Sequence, residues 1–327
     1  MRKILLFLII PALVACEKKD KPITPIAPPG VEENAVEMGN LYERQIFFDL
    51  GTNSEVKSSD KMAWDLAFET TENGKLIRLN SSRRMVASKT GISDFTQVTS
   101  ANQAMEWRWD HANGSPDLTA IGQWWDANGN SLNEVYLIDL GFDSQGNLLG
   151  YRKMQIVEAT ATYFLIRFAK LNGADEQTVD IVKENEKNHS CYSLINQTTI
   201  DFEPETEAWD ILFSNYTETL WDGADSVFYL VTGVLINPAG VEVALTKDIS
   251  FDDLSLDGLA DLTFSSAQNA IGYEWKYLDF NTLIYTVEPD FLYVIKDMNG
   301  DFYKLKFIGF YNDIGEKGAP AFQFQRL

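Results

Sequence analysis

Beyond residue 38 the chain is built of short runs of β-branched and aromatic residues, separated by clusters of turn-forming residues. No segment there sustains the 3.6-residue apolar period of an amphipathic helix. The runs Gln45–Leu50, Glu134–Asp139, Tyr163–Phe168, Ser226–Val231 and Phe291–Lys296 predict strands. The separators Asp143–Asn147, Asn237–Gly240 and Asp297–Asp301 carry glycine and asparagine, which supply the positive φ that tight hairpins need. The pattern predicts an all-β fold of antiparallel strands.

The pattern also recurs. Trp64-Asp-Leu-Ala-Phe68 returns as Trp209-Asp-Ile-Leu-Phe213. Upstream, Leu41-Tyr42 and Ile46 are matched with Cys191-Tyr192 and Ile195; downstream, Glu106-Trp107-Arg108 is matched with Glu274-Trp275-Lys276. Each copy closes on a strand, a glycine hairpin and a second strand, at 135–157 and 291–309. A repeat this long implies two tandem copies of one β domain rather than a solenoid of short units. The polar stretch at 172–187 sets the expected units at 39–177 and 178–327.

The chain has 327 residues, 45% of them hydrophobic, which is a globular composition. Its formal net charge of −21 repels phosphate backbones, so nucleic acid is excluded as a partner. Only two cysteines occur, Cys16 and Cys191, which rules out a disulfide framework.

The first residues change the picture of where the body sits. Arg2 and Lys3 precede a short apolar run, residues 4–14, that falls below the ~20 residues needed to span a bilayer. The run ends in Leu13-Val14-Ala15-Cys16, which resembles the lipobox of bacterial lipoproteins. Residues 1–15 are therefore expected to be a signal peptide and Cys16 the lipid-modified residue that ties the protein to a membrane. Glu17-Lys18-Lys19-Asp20 resembles the surface-export signal of lipoproteins in the Bacteroidetes, which implies a lipid-anchored protein exposed on the outer membrane. Residues 16–38, with four of the ten prolines, are expected to form a flexible tether.

Candidate chemistry is sparse. The Asp143 and Asp297 loops lack the twelfth-position glutamate and flanking helices of a calcium loop, and read as hairpins. His189 and Cys191 stand alone as possible metal ligands; His189 reads as a surface residue and Cys191 as a small buried hydrophobe. No nucleophile elbow, phosphate loop or HExxH is present, and no pair of acids stands out, so the chain reads as no enzyme. The informative cluster is Met105–Gly114. On a strand, Trp107, Trp109 and His111 would share a face. They would then form either an aromatic platform with an imidazole for the iron of a flat ligand, or a core-packed strand end with its histidine in the turn.

The lipobox with its lysine-rich start, the Trp64–Phe68 strand and the C-terminal piece Phe291–Asp313, with Gly318 and Phe322-Gln-Phe324, resemble the HmuY family of haem-binding lipoproteins of Bacteroidetes. The likeness covers most of the mature chain, as two HmuY-like units in tandem. It implies an all-β fold and a haemophore-like role in iron acquisition. The partners would be haem or a haem-carrying protein, and an outer-membrane receptor. It also implies an iron ligand at His111, a pocket lined by Trp107 and Trp109, and Met105 or Met85 as second ligand. The second copy has no histidine at either ligand place; Tyr277 and Asp279 stand nearby. The alternative is a surface module of the same fold that binds protein or glycan without haem.

Overall fold

The computed structural model describes residues 30–223 and 225–327. Twenty strands run through them: β1 (Glu32–Ala35), β2 (Arg44–Asp49), β3 (Ser54–Asp60), β4 (Leu66–Glu69), β5 (Ile77–Leu79), β6 (Val86–Lys89), β7 (Val135–Asp139), β8 (Tyr151–Ala159), β9 (Tyr163–Ala169), β10 (Gln177–Val182), β11 (His189–Ser193), β12 (Thr198–Ile200), β13 (Ile211–Asp222), β14 (Asp225–Ile236), β15 (Glu242–Thr246), β16 (Lys276–Asp279), β17 (Ile284–Val287), β18 (Leu292–Lys296), β19 (Phe302–Tyr311) and β20 (Lys317–Arg326). The protein is all-β, and every strand pairing is antiparallel. The period of two is plain in β9, where Phe164, Ile166 and Phe168 are buried and Leu165 and Arg167 are not. No helix among the described residues is long and apolar enough to cross a membrane.

The sheets come in two matching sets. One set is β10-β9-β8-β7-β6 with β12-β11-β4-β5; the other is β1-β20-β19-β18-β15 with β3-β2-β13-β14. The hairpin β16–β17 stands apart. The orders superimpose when β4 is set on β13 and the strands are followed in turn, so that β10, β11 and β12 correspond to β1, β2 and β3. Side-chain details agree. The amide of Asn80 donates to the Trp64 carbonyl at 2.8 Å, and that of Asn237 to the Trp209 carbonyl at 2.8 Å. The turns Asp143–Asn147 and Asp297–Asp301 close with the same backbone bond, and Gly146 and Gly300 hold φ of 83° and 85°.

The repeat is therefore permuted along the chain. Residues 31–60 supply β1–β3 to the second unit: β1 pairs with β20, and β2 with β13. The expected division at 177/178 falls at the first residue of β10, which pairs with β9, so it does not separate the two sets of sheets. The cores follow the sheets. One gathers Leu66, Phe68, Trp124, Phe164 and Tyr192; the other gathers Ile46, Phe48, Phe213, Trp275 and Phe322. A third cluster, including Phe47, Trp64, Cys191, Phe202 and Trp209, joins them.

Two sequence matches change accordingly. The counterpart of Cys191-Tyr192 is Phe47-Phe48, because Tyr192 and Phe48 both accept the N–H of the aspartate after the tryptophan, Asp65 and Asp210 respectively. Arg108 bridges Ala87 as Ser265 bridges Val243, so Ser265, not Lys276, is its partner. The expected tether also ends earlier than residue 38. Val36 and Met38 are buried, and their N–H groups bond the carbonyls of Pro320 and Gly318 at 3.1 and 2.9 Å. The expected signal peptide and Cys16 lie outside the described residues.

Candidate functional site

The Met105–Gly114 segment is not a regular strand. Arg108 alone bridges a neighbour, and His111 begins a turn in which its carbonyl accepts the Gly114 N–H at 3.2 Å. The turn is tied down by Asp110, whose buried carboxylate accepts the N–H groups of Leu79 at 2.6 Å and Ala120 at 2.7 Å. Burial pushes the Asp110 carboxyl up, and those two bonds oppose the shift.

The sequence-predicted site residues disperse. Trp107 packs beside the Phe95 and Leu137 cluster, with its ring 5.9 Å from that of Tyr151. The Trp109 ring lies 5.1 Å from Phe228 and is parallel to His111 at 6.0 Å, while its indole N–H donates to Thr219 Oγ1 at 2.9 Å. Trp109 is thus covered by the β13–β14 ribbon rather than offered as an open platform. Met85 is 2% exposed inside the first core, where leaving its packing to ligate iron would open a void. Met105 is 72% exposed and lines neither of the two cavities described next. Of the five, His111 alone lines one of the cavities described next.

Two adjoining cavities lie between the units. The inner one is an apolar pocket of about 120 Å³, walled by Trp64, Phe202, Trp209 and Leu212. The outer one is an open cleft of about 990 Å³ whose lining includes Glu69, Glu72, Glu186, Glu205 and Glu207. Arg78, His189, Pro238 and Gln268 belong to both. His111 and His189, the chain's two histidines, both line the inner pocket. His189 is thus no surface residue. Cys191 beside it is the buried hydrophobe its sequence context implied, its thiol pushed up by burial.

His189 is held by an ordered partner. Its backbone N–H donates to Glu203 Oε2 at 3.0 Å, and its Nδ1 lies 3.1 Å from the same oxygen. Asn188 donates to Glu203 Oε1 at 2.7 Å, which fixes the carboxylate. A carboxylate only accepts, so Nδ1 is the donor in this contact, which leaves Nε2 as the ring nitrogen that Glu203 does not engage. No cluster of three or more His, Cys, Asp or Glu side chains able to hold a free metal ion occurs among the described residues. Sequence reasoning missed His189 and Glu203, because pairing of β11 with β4 is what carries His189 to the pocket that His111 also lines. The available signal was that the chain holds only these two histidines.

Comparison with known proteins gives one family. The family model described as HmuY protein matches residues 41–324 in a single span. Among solved structures the chain is similar to apo PinO from Porphyromonas gingivitis, at 11% identity over 91% of this chain and 98% of that chain, with a TM-score of 0.30. It is also similar to a protein from Bacteroides vulgatus described as HmuY-like and heme binding, at 10% identity over 90% of each chain and a TM-score of 0.24. A third is the apo HmuY analog of Tannerella forsythia, at 11% identity over 92% and 98%, with a TM-score of 0.21. No curated protein matches.

Proposed function

The chain belongs to the HmuY family of non-enzymatic haem-binding proteins, and on that premise we propose that it captures haem where the cleft meets the inner pocket, as a lipoprotein displayed on the outer membrane. The observation that carries this reading is that His111 and His189 line one pocket, with His189 oriented by Glu203. The donor set fits haem. A carboxylate-held imidazole is the usual form of a metal-bound histidine, and His111 and His189 would be the residues to hold the iron. The cleft is of ligand size, within the ~300–1,000 Å³ typical of such sites. Arg78, on the shared wall, spends one guanidinium nitrogen on the Gly114 carbonyl at 2.6 Å and keeps donors for a haem carboxylate. When bound, haem would supply the iron centre; this chain's part is to place two imidazoles and exclude water. His111 and His189 are thus the proposed ligands, in place of His111 with a methionine.

The test is a haemin titration of the full chain, read in the Soret region. Saturation at one equivalent with a sharp low-spin band, lost in His111→Ala and in His189→Ala, is the expected result. A rise that never saturates would overturn the reading.

One observation favours the adhesion reading. On β16–β17 and its turn, Phe280 is 84% and Leu283 71% exposed, with Tyr277 and Ile284 also bare. Exposed apolar side chains grouped on one hairpin mark contact surfaces. Retention of the haem-free protein on a cell-surface glycan column, abolished in Phe280→Ser/Leu283→Ser, would support that reading.

A further inference from the structure

The pocket wall includes an element with no equal in the first unit. β13 and β14 pair along twelve residues each, whereas β4 and β5, their counterparts, have four and three residues. Only the base of the ribbon, Ile211–Phe213, is also paired with β2. Backbone packing pins β14 there too: a Cβ on Gly233 would lie 2.4 Å from the Gly272 carbonyl oxygen. Beyond that base the ribbon has two strands only, and such a ribbon is marginal without outside contacts.

Close to the base, Ser82 donates to the Asn215 carbonyl and Lys61 to Asn215 Oδ1, each at 2.9 Å, and Lys276 donates to the Thr232 carbonyl at 2.5 Å; the contacts farther out are these. Thr217 donates to the Ser81 carbonyl at 2.7 Å, and Asn269 to Glu218 at 2.9 Å. Trp109 donates to Thr219, and the Phe228 ring rests against Trp109 and against the Arg84 guanidinium, 5.2 Å away. The same ribbon gives Leu212 and Leu235 at its base, and Tyr216 just beyond it, to the inner pocket. The Tyr216 hydroxyl and the Trp209 indole N–H are buried there without a hydrogen-bond partner among the described residues. At about 120 Å³ the closed pocket is smaller than the ~300 Å³ at the low end of ligand pockets.

We propose that the β13–β14 ribbon is a strap across the inner pocket, fastened to the first unit by Thr219 and Phe228 on Trp109, and that its release joins the pocket to the cleft and admits a flat ligand. The identity of that ligand rests on the haem reading; the opening does not.

Cys191 reports the opening without haem. It lines the pocket and is 2% exposed, and in a Cys16→Ser chain it is the sole thiol. Its modification by dithionitrobenzoate is timed in that full chain, in Thr219→Val, in Phe228→Ala and in Trp221→Ala at the exposed tip. Losing one fastener is expected to speed modification in the absence of urea about five- to tenfold, with added hydrogen exchange confined to residues 217–230. Trp221→Ala should match the parent. Equal rates in all four chains, or added hydrogen exchange spread over the whole chain rather than the ribbon, would overturn the strap. Fast labelling in Phe228→Ala with no haemin bound by any variant would keep the strap and end the haem reading. Saturable haemin binding with labelling unchanged would do the reverse.

Discussion

Asp65 and Asp210 each follow the tryptophan that opens their unit, yet only Asp65 has a cation: Arg83 Nη1 bonds its fully buried carboxylate. Asp210 instead accepts the Leu50 N–H at 2.8 Å and faces Asp49 and Asp297. Burial first, and those two carboxylates second, push it up to about 7 against the pull of the Leu50 bond. A carboxyl raised in the folded state favours folding fully below its unfolded value near 4, and that contribution is lost as pH rises through about 7. Asp210→Asn should therefore be more stable than the parent at pH 8, by on the order of 3 kcal/mol, and equal to it near pH 4. Urea midpoints across that range measure the difference. In the other unit, Arg83→Leu strands a buried charge and should cost about 3–5 kcal/mol, most of it regained when Asp65→Asn is added.

Lys153 and Lys304 make a second matched pair. Lys153 Nζ donates to the Phe95 and Val98 carbonyls at 2.9 and 3.0 Å; Lys304 Nζ donates to those of Phe251 and Leu254 at 2.6 and 3.1 Å. Each ammonium also sits over its own phenyl ring, at 4.6 and 4.7 Å. Removing either leaves two buried carbonyls without a donor. Lys153→Met and Lys304→Met should each lose roughly 2–4 kcal/mol, and the double variant should lose the sum, because the two sites share no partner. Unequal losses in thermal melts would mean that the two loops are not equivalent supports.

These pairs also mark how far the sequence could be read. Strand runs and hairpin turns were legible because alternation and positive-φ chemistry act over a few residues: Glu134–Asp139 became β7 and Phe291–Lys296 became β18. The tryptophan-led repeat was legible for the same reason. Its permutation was not, because the exchange of β1–β3 depends on the edge of β20 that accepts β1, and nothing local in residues 31–38 states which edge that is. The site failed in a related way. His111 could be singled out from its aromatic neighbours, but His189 acquires its place only through the register that sets it opposite Glu69. Met85 was a candidate by chemistry alone, and its burial is a property of the assembled core.

The permutation predicts a rearranged chain that folds. Glu32 pairs with Phe324, so the beginning of β1 and the end of β20 lie side by side. Joining Leu327 to Gly30 with a short flexible linker, and opening the chain between Lys61 and Met62, would leave each unit contiguous: β4 to β12, then β13 to β3. The new ends fall in a turn between β3 and β4. The permutant should melt cooperatively with the parent's far-ultraviolet spectrum. Loss of cooperativity would show that residues 31–60 must enter first to close the second core.

The His189–Glu203 contact makes the sharpest statement about ligand binding. Glu203 holds Nδ1, so on the proposed haem reading its role would be to orient and enrich the imidazole rather than to touch iron. Glu203→Gln should keep a Soret band and weaken haemin about 10- to 100-fold, whereas His189→Ala should change the band itself. Met85→Leu and Met105→Leu should alter neither spectrum nor affinity, since one side chain is committed to the core and the other stands in solvent. A spectral change in either methionine variant, with His189→Ala silent, would return the second ligand to sulfur. It would also require the Met85 core or the exposed Met105 segment to rearrange on binding, which hydrogen exchange over residues 85–111 would register.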